Sequence, residues 1–232
     1  MAKDEKNLKD AADDSIIKVE TTLTRAEMYI EKNQKMLTII ITAVVVVIGG
    51  FLAYKNFYKA PREKEAQAQM FAAQQYFEKD SFKLALKGDG NYLGFLYIAD
   101  QYGSTNAGNL ANYYIGICYL KTGEFQKAID YLEGFSSGDM YVGSIAIGAA
   151  GDAYLELGKT DDAISCYEKA AKNQDNNLTS PLYFMKAGIA CESKGDYKNA
   201  LEYYQLIKDK YKKSMQYNDV DKYIARAELK VK

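Results

Sequence analysis

The chain of 232 residues carries 30 Lys and Arg against 31 Asp and Glu, a formal net charge of -1, so it lacks the one-sided basic footprint that would point to nucleic acid. It contains no His, which removes the commonest metal ligand and the usual general base near neutral pH, and so disfavours much enzyme chemistry. Its three Cys, Cys118, Cys166 and Cys191, form no C-x-x-C pair; neither a disulfide framework nor a zinc site is expected, and each has apolar neighbours as a core packer would.

Residues 1–14 are a polar, charged run and read as disordered. From Asp14 the pattern changes. Ile16, Val19, Leu23, Ala26 and Ile30 recur at alternating spacings of three and four, which lines them along one face of an amphipathic helix over about 15–33. That face needs a cover: a membrane interface, docking into a membrane partner and pairing with itself all remain open. The polar side is more acidic than that of most lipid-binding helices.

Residues 37–54, LTIIITAVVVVIGGFLAY, hold no charge. At about 1.5 Å rise per residue the run measures roughly 27 Å as a helix, close to the ~30 Å hydrocarbon core of a bilayer. A transmembrane helix is expected, with lipid as its surroundings. A core helix apolar on every face would need far more chain to cover it. A cleaved signal peptide conflicts with the long charged arm in front and with the lack of a small-x-small site behind. Residues 55–61 read as a stalk. Three basic residues shortly precede the span (Arg25, Lys32, Lys35) and four come after it (Lys55, Lys59, Arg62, Lys64), a count that slightly favours a cytoplasmic location for the chain beyond the span.

The remaining chain is long enough for one domain with a sizeable core. Residues 62–108 read as a degenerate helical unit with a long first helix, REKEAQAQMFAAQQYFEKDSFKLALKG, then a turn at Gly88-Asp89-Gly90 and a second helical stretch, YLGFLYIADQYGSTNAG. The turn comes after a helix instead of a strand, so a phosphate loop is not expected there. Three segments then align, from Asn109, Ser144 and Pro181. An early Gly recurs as Gly116, Gly151 and Gly188, a turn Gly as Gly123, Gly158 and Gly195, and a small residue as Ala128, Ala163 and Ala200; successive offsets are 35 and 37 residues. Gly and Ala let two antiparallel helices approach closely, and the turn Gly closes the first helix in a left-handed conformation. Glu124 and Asp161-Asp162 lie where acids complement a helix start. Asp219 to Lys230 reads as an amphipathic helix that caps the last apolar face.

These markers resemble the tetratricopeptide repeat, a unit of about 34 residues. The middle segment, with Ala150-Gly151, Tyr154, Gly158, Ala163, Tyr167 and Ala170, matches its pattern best. The resemblance implies an all-α fold, in which a single N-terminal transmembrane helix precedes a solenoid of about four helix-turn-helix units over 62–108, 109–142, 144–177 and 181–214, with a capping helix in 216–232. In such solenoids the first helices line the concave side. By repeat position Tyr113, Ile117, Lys121, Asp152, Glu156, Met185, Ile189 and Glu192 are expected to face it, a mixture suited to extended polypeptide. Repeats that clamp a chain-terminal carboxylate carry Lys and Asn on successive first helices; Tyr113, Ile117, Gly148 and Asp152 stand there instead, so carboxylate capture is not expected.

The whole layout resembles the YfgM-like family of ancillary Sec translocon subunits. That resemblance implies a single-pass protein of the bacterial inner membrane with its N-terminus in the cytoplasm and its repeats in the periplasm. There they would meet the Sec translocon, a periplasmic folding factor and unfolded or extended client chains, with no cofactor and no catalysis. A homo-oligomer is compatible with this. The alternative is a structural adaptor of an envelope secretion or cell-wall assembly complex. No grouping of nucleophile, base and oxyanion donors is recognisable in the repeats.

Overall fold

A computed structural model describes residues 2–231, with side chains from Met28 onward. The chain divides into two units, Met1–Tyr58 and Lys59–Lys232. The first is dominated by helix α1 (Ala2–Ala53), followed by a π-helical turn, Tyr54–Lys59. Residues 2–14, expected to be disordered, fall within α1. Their Ala, Lys, Glu and Leu content favours a helix once one is nucleated, and the apolar run extends the same helix. The side chains of the charge-free run face outward, with Val47 70% and Ile39 69% exposed. An 18-residue window here has a mean hydropathy of 2.7, with none of it buried, so the helix is long and apolar enough to cross a membrane.

The second unit is a stack of helices: α2 (Ala60–Glu78), α3 (Phe82–Lys87), α4 (Phe95–Tyr102), α5 (Asn106–Lys121), α6 (Phe125–Glu133), α7 (Val142–Glu156), α8 (Thr160–Asn173), α9 (Thr179–Ser193), α10 (Tyr197–Lys210) and α11 (Val220–Val231). Helices adjacent in sequence from α4 to α11 pack on one another, with a short 3-10 turn, Gln216–Asn218, before α11. This is an all-α solenoid.

One device builds the pairs α5/α6, α7/α8 and α9/α10. A methyl group placed on Gly151 would lie 2.7 Å from the Tyr167 ring, and Gly188 stands in the same relation to Tyr204 and Gly116 to Leu132. The missing Cβ is therefore the socket into which the second helix inserts a large apolar or aromatic side chain. Tyr167, Tyr204 and Leu132 are at most 2% exposed as a result. The turns repeat as well. The N–H groups of Glu124, Lys159 and Asp196 each donate at 2.9 Å to the carbonyl five residues earlier, and the glycine between them has φ near +80°, +72° and +79° in turn.

Upstream, the turn of the degenerate unit lies where the sequence did not announce it. The expected long helix breaks after Glu78, and Asp80 takes the left-handed place of the turn glycine with φ 55°. Ser81 N–H donates to the Tyr76 carbonyl at 2.9 Å, the same closure as in the later repeats. Counted from Asp80, Ala73, Tyr76 and Ala85 stand where Gly116, Tyr119 and Ala128 stand counted from Gly123, and both alanines are fully buried. The helix pair of this unit is therefore α2/α3, and the Gly88-Asp89-Gly90 turn only ends it. There the Asp89 carboxylate accepts from the amides of Asn91 and Tyr92 at 2.9 and 2.8 Å and from the Tyr76 hydroxyl at 2.7 Å. Amides that a phosphate would need are already occupied. α4 then packs on α5 through a stacked pair, Phe95 and Tyr114, with centroids 4.7 Å apart.

α5 begins under a double cap. Thr105 Oγ1 accepts from Gly108 N–H at 2.9 Å, and Glu63 of α2 accepts from Asn106 and Ala107 N–H at 2.6 and 3.2 Å. Those bonds satisfy amides that a helix start leaves unpaired. At the other end α11 buries Val220, Ile224 and Ala227 against α10. Cys118, Cys166 and Cys191 are free thiols, all buried.

Candidate protein-binding groove

α5, α7 and α9 stand side by side, and across them runs a groove of about 680 Å³. Its walls come from the last turns of these three helices: Leu120 and Lys121 on α5, Leu155 and Glu156 on α7, Ile189 and Ser193 on α9. Phe125 of α6 and Tyr167 of α8 reach it from behind. Leu155 is 41% and Ile189 43% exposed, so apolar surface faces solvent within a concave space.

A fixed polar knot occupies its middle. Lys186 Nζ donates to both Asp152 oxygens at 2.7 and 2.8 Å, and the Tyr167 hydroxyl donates to Asp152 Oδ1 at 2.7 Å. The ammonium also lies over the rings of Tyr167 and Tyr183, 5.6 and 5.8 Å from their centroids. Burial, and next the bond to Asp152, push the Tyr167 hydroxyl pKa far up, so it remains a donor. Asp152 lies on α7 and Lys186 on α9. The pair therefore ties neighbouring repeats together, and the flanking Leu155 and Ile189 keep their exposed side chains.

Further toward the helix starts the concave side is closed. A Cβ on Gly148 would lie 1.9 Å from the Tyr183 ring, so Tyr183 fills the place that a side chain of α7 would take. Tyr113, half buried, packs on Tyr114 and Phe135 with centroids 5.5 and 5.7 Å away.

Lys121, Asp152, Glu156 and Ile189 line the groove. Tyr113 and Ile117 are half buried against the first core cluster; they seal the wall between helices. Met185 is a correction: it is 7% exposed and belongs to the second core cluster, one turn before the exposed Ile189 and on the part of that α9 face that the core covers. Glu192 is a second correction. Its carboxylate pairs with Arg226 of α11 at 2.5 Å and its side chain is only 12% exposed, because the capping helix covers it. Lys186, Leu155 and Leu120 were missed. Lys186 precedes Ile189 by three residues and Leu155 comes three after Asp152, the spacing that places side chains on one helix face, so this signal was available.

Among the described residues no group of three His, Cys, Asp or Glu is placed to hold a metal ion. Comparison with known proteins agrees with the repeat geometry. Residues 110–136 and 149–214 each match a model of the tetratricopeptide repeat. A crystal structure from Podosopora anserina, described as a kinesin light chain with nearly identical TPR-like repeats, superposes with a TM-score of 0.54 at 14% identity, covering 73% of this chain and 87% of that one. At that identity the likeness concerns the fold. No curated protein matches the sequence. Residues 110–136 and 149–214 thus carry tetratricopeptide repeats, which indicate a protein-interaction scaffold.

Proposed function

We propose that the protein is a membrane-anchored scaffold whose groove binds extended segments of other polypeptides, newly exported chains emerging beside the Sec translocon, without chemical change to them. The observation that carries this is the groove across α5, α7 and α9, in which exposed Leu155 and Ile189 flank an ion pair already satisfied within the protein. A surface of that kind offers apolar contact and makes no demand for a particular charged partner, which suits many weakly bound sequences. The apolar end of α1 supports the anchor. The layout shared with YfgM-like proteins supports an inner-membrane location with the repeats in the periplasm and a periplasmic folding factor nearby. Tethering beside an exit site raises the effective concentration of clients, so weak contacts suffice.

A photoreactive residue at Leu155 in living cells tests this. A spread of crosslinked secretory chains that disappears when export is blocked is the expected result; labelling of lipid alone, or no labelling, overturns it. One discrete band would instead favour the adaptor of an envelope assembly with fixed partners.

A further inference from the structure

We infer, on the reading of α1 as a membrane anchor, that the π-helical turn Tyr54–Lys59 is a lipid-binding segment seated in the headgroup layer of the bilayer, instead of a solvent-exposed stalk. Aromatic residues are placed unevenly along the first unit. Tyr29 is the one aromatic residue among positions 1–50, whereas Phe51, Tyr54, Phe57 and Tyr58 crowd into the next eight. No residue of the turn is buried. Phe57 is 85% exposed, the highest value for a large apolar side chain among the described residues, and Tyr54 and Tyr58 are each 50% exposed.

Position, side-chain chemistry and backbone all point to lipid as the cover. The charge-free run 37–54 ends at Tyr54, and its length of roughly 27 Å matches the ~30 Å hydrocarbon core. Whatever comes directly after it therefore lies at the edge of that core. Tyr54 and Tyr58 stack with centroids 5.3 Å apart, and Lys55 and Lys59 are interleaved with the rings. Tyr has an apolar ring with a polar tip and Lys an apolar stem with a charged head, the two designs that settle where hydrocarbon meets water. A dry pocket on another protein would suit Phe57 but would penalise the lysines beside it. In the headgroup layer the rings reach down to the acyl chains and the ammonium groups up to the lipid phosphates. The backbone assists, because a turn closed by bonds over five residues holds more residues than the 3.6 of an α-helix. Three rings and two cations are thereby gathered into a thinner layer than an uninterrupted α-helix would give.

The chain contains no Trp, so a single introduced Trp, excited where Tyr does not absorb, reports its own depth. The full chain carrying Phe57→Trp, or separately Val45→Trp in the middle of the charge-free run, is placed in phosphatidylcholine vesicles with bromine near either the carbonyl end or the tail end of the acyl chains. Phe57→Trp is expected to emit at a shorter wavelength than tryptophan in water and to be quenched about twofold more by the shallow bromine than by the deep one, with the reverse order for Val45→Trp. Water-like emission from Phe57→Trp without quenching, while the deep bromine quenches Val45→Trp, overturns the headgroup assignment and leaves the anchor standing. Equal quenching of both positions by the deep bromine overturns it as well, since Phe57 would then lie in hydrocarbon. A Val45→Trp that neither bromine quenches removes the anchor, and the headgroup assignment with it.

Discussion

At the scale of single residues, the repeats depend on a few positions where a side chain is absent or a backbone angle is unusual. Gly158 occupies the left-handed region with φ 72° and has open space around its α-carbon, so Gly158→Ala tests the angle alone. It should cost about 1 kcal/mol, the lower end of the left-handed penalty for an L-residue, read from the urea midpoint of the repeat domain. Asp80 holds the same conformation without being glycine; Asp80→Gly should leave the midpoint unchanged or raise it, and a loss would mean that its side chain matters. Asp89 makes a prediction in pH. The Tyr92 amide, then the Tyr76 hydroxyl and the Asn91 amide, hold its carboxyl below the usual carboxylate value of 3.8. A depressed folded-state value stabilises above the unfolded pKa, and that stabilisation is lost as pH falls through the folded one. Asp89→Asn should therefore flatten the acid side of the stability curve below about pH 4, as measured by thermal melts across pH; an unchanged acid limb would argue against it.

At the scale of helices, α11 covers what would otherwise be the open end of the last pair. Ile224 is 7% exposed and belongs to the second core cluster. Ile224→Ala should cost about 2–3 kcal/mol, within the range for emptying an aliphatic core site, whereas Leu229→Ala, at a position 73% exposed, should change the melting temperature little. The helix pairs from α5 onward were legible in the sequence because a socket Gly, a turn Gly and a buried Ala recur in each at the same offsets. The first pair was not. Its socket is Ala73 and its turn residue is Asp80, neither of which carries the glycine signal, while Gly88 and Gly90 nearby both adopt positive φ for a different bend. The site was legible in part for a related reason. Repeat position assigns a residue to a face, which placed Lys121, Asp152, Glu156 and Ile189, but it does not say how far a neighbouring element overlaps that face. Arg226 of α11 reached Glu192, and Tyr183 crossed Gly148, through packing between repeats that a single repeat pattern does not encode.

At the scale of the repeat stack, two core clusters share Ile147 and Tyr154 as common neighbours, so the seam between them runs through α7. Stability in such arrays is close to a sum of units and nearest-neighbour interfaces, and the Asp152 and Lys186 pair adds a polar tie across that seam. The thiols lie on both sides of it. Burial pushes Cys118 up to about 12 and Cys191 up to about 11, and Cys166 is raised by the same cause. The native protein should resist a thiol-reactive dye at pH 8 and take up three equivalents in denaturant; rapid labelling without denaturant would show that the helices open readily. Since nucleophilic sulfur is the thiolate, a fold that buries all three thiols and keeps them protonated shields them from oxidants and from cross-linking to other proteins. Its stability therefore makes no demand for a reducing surrounding.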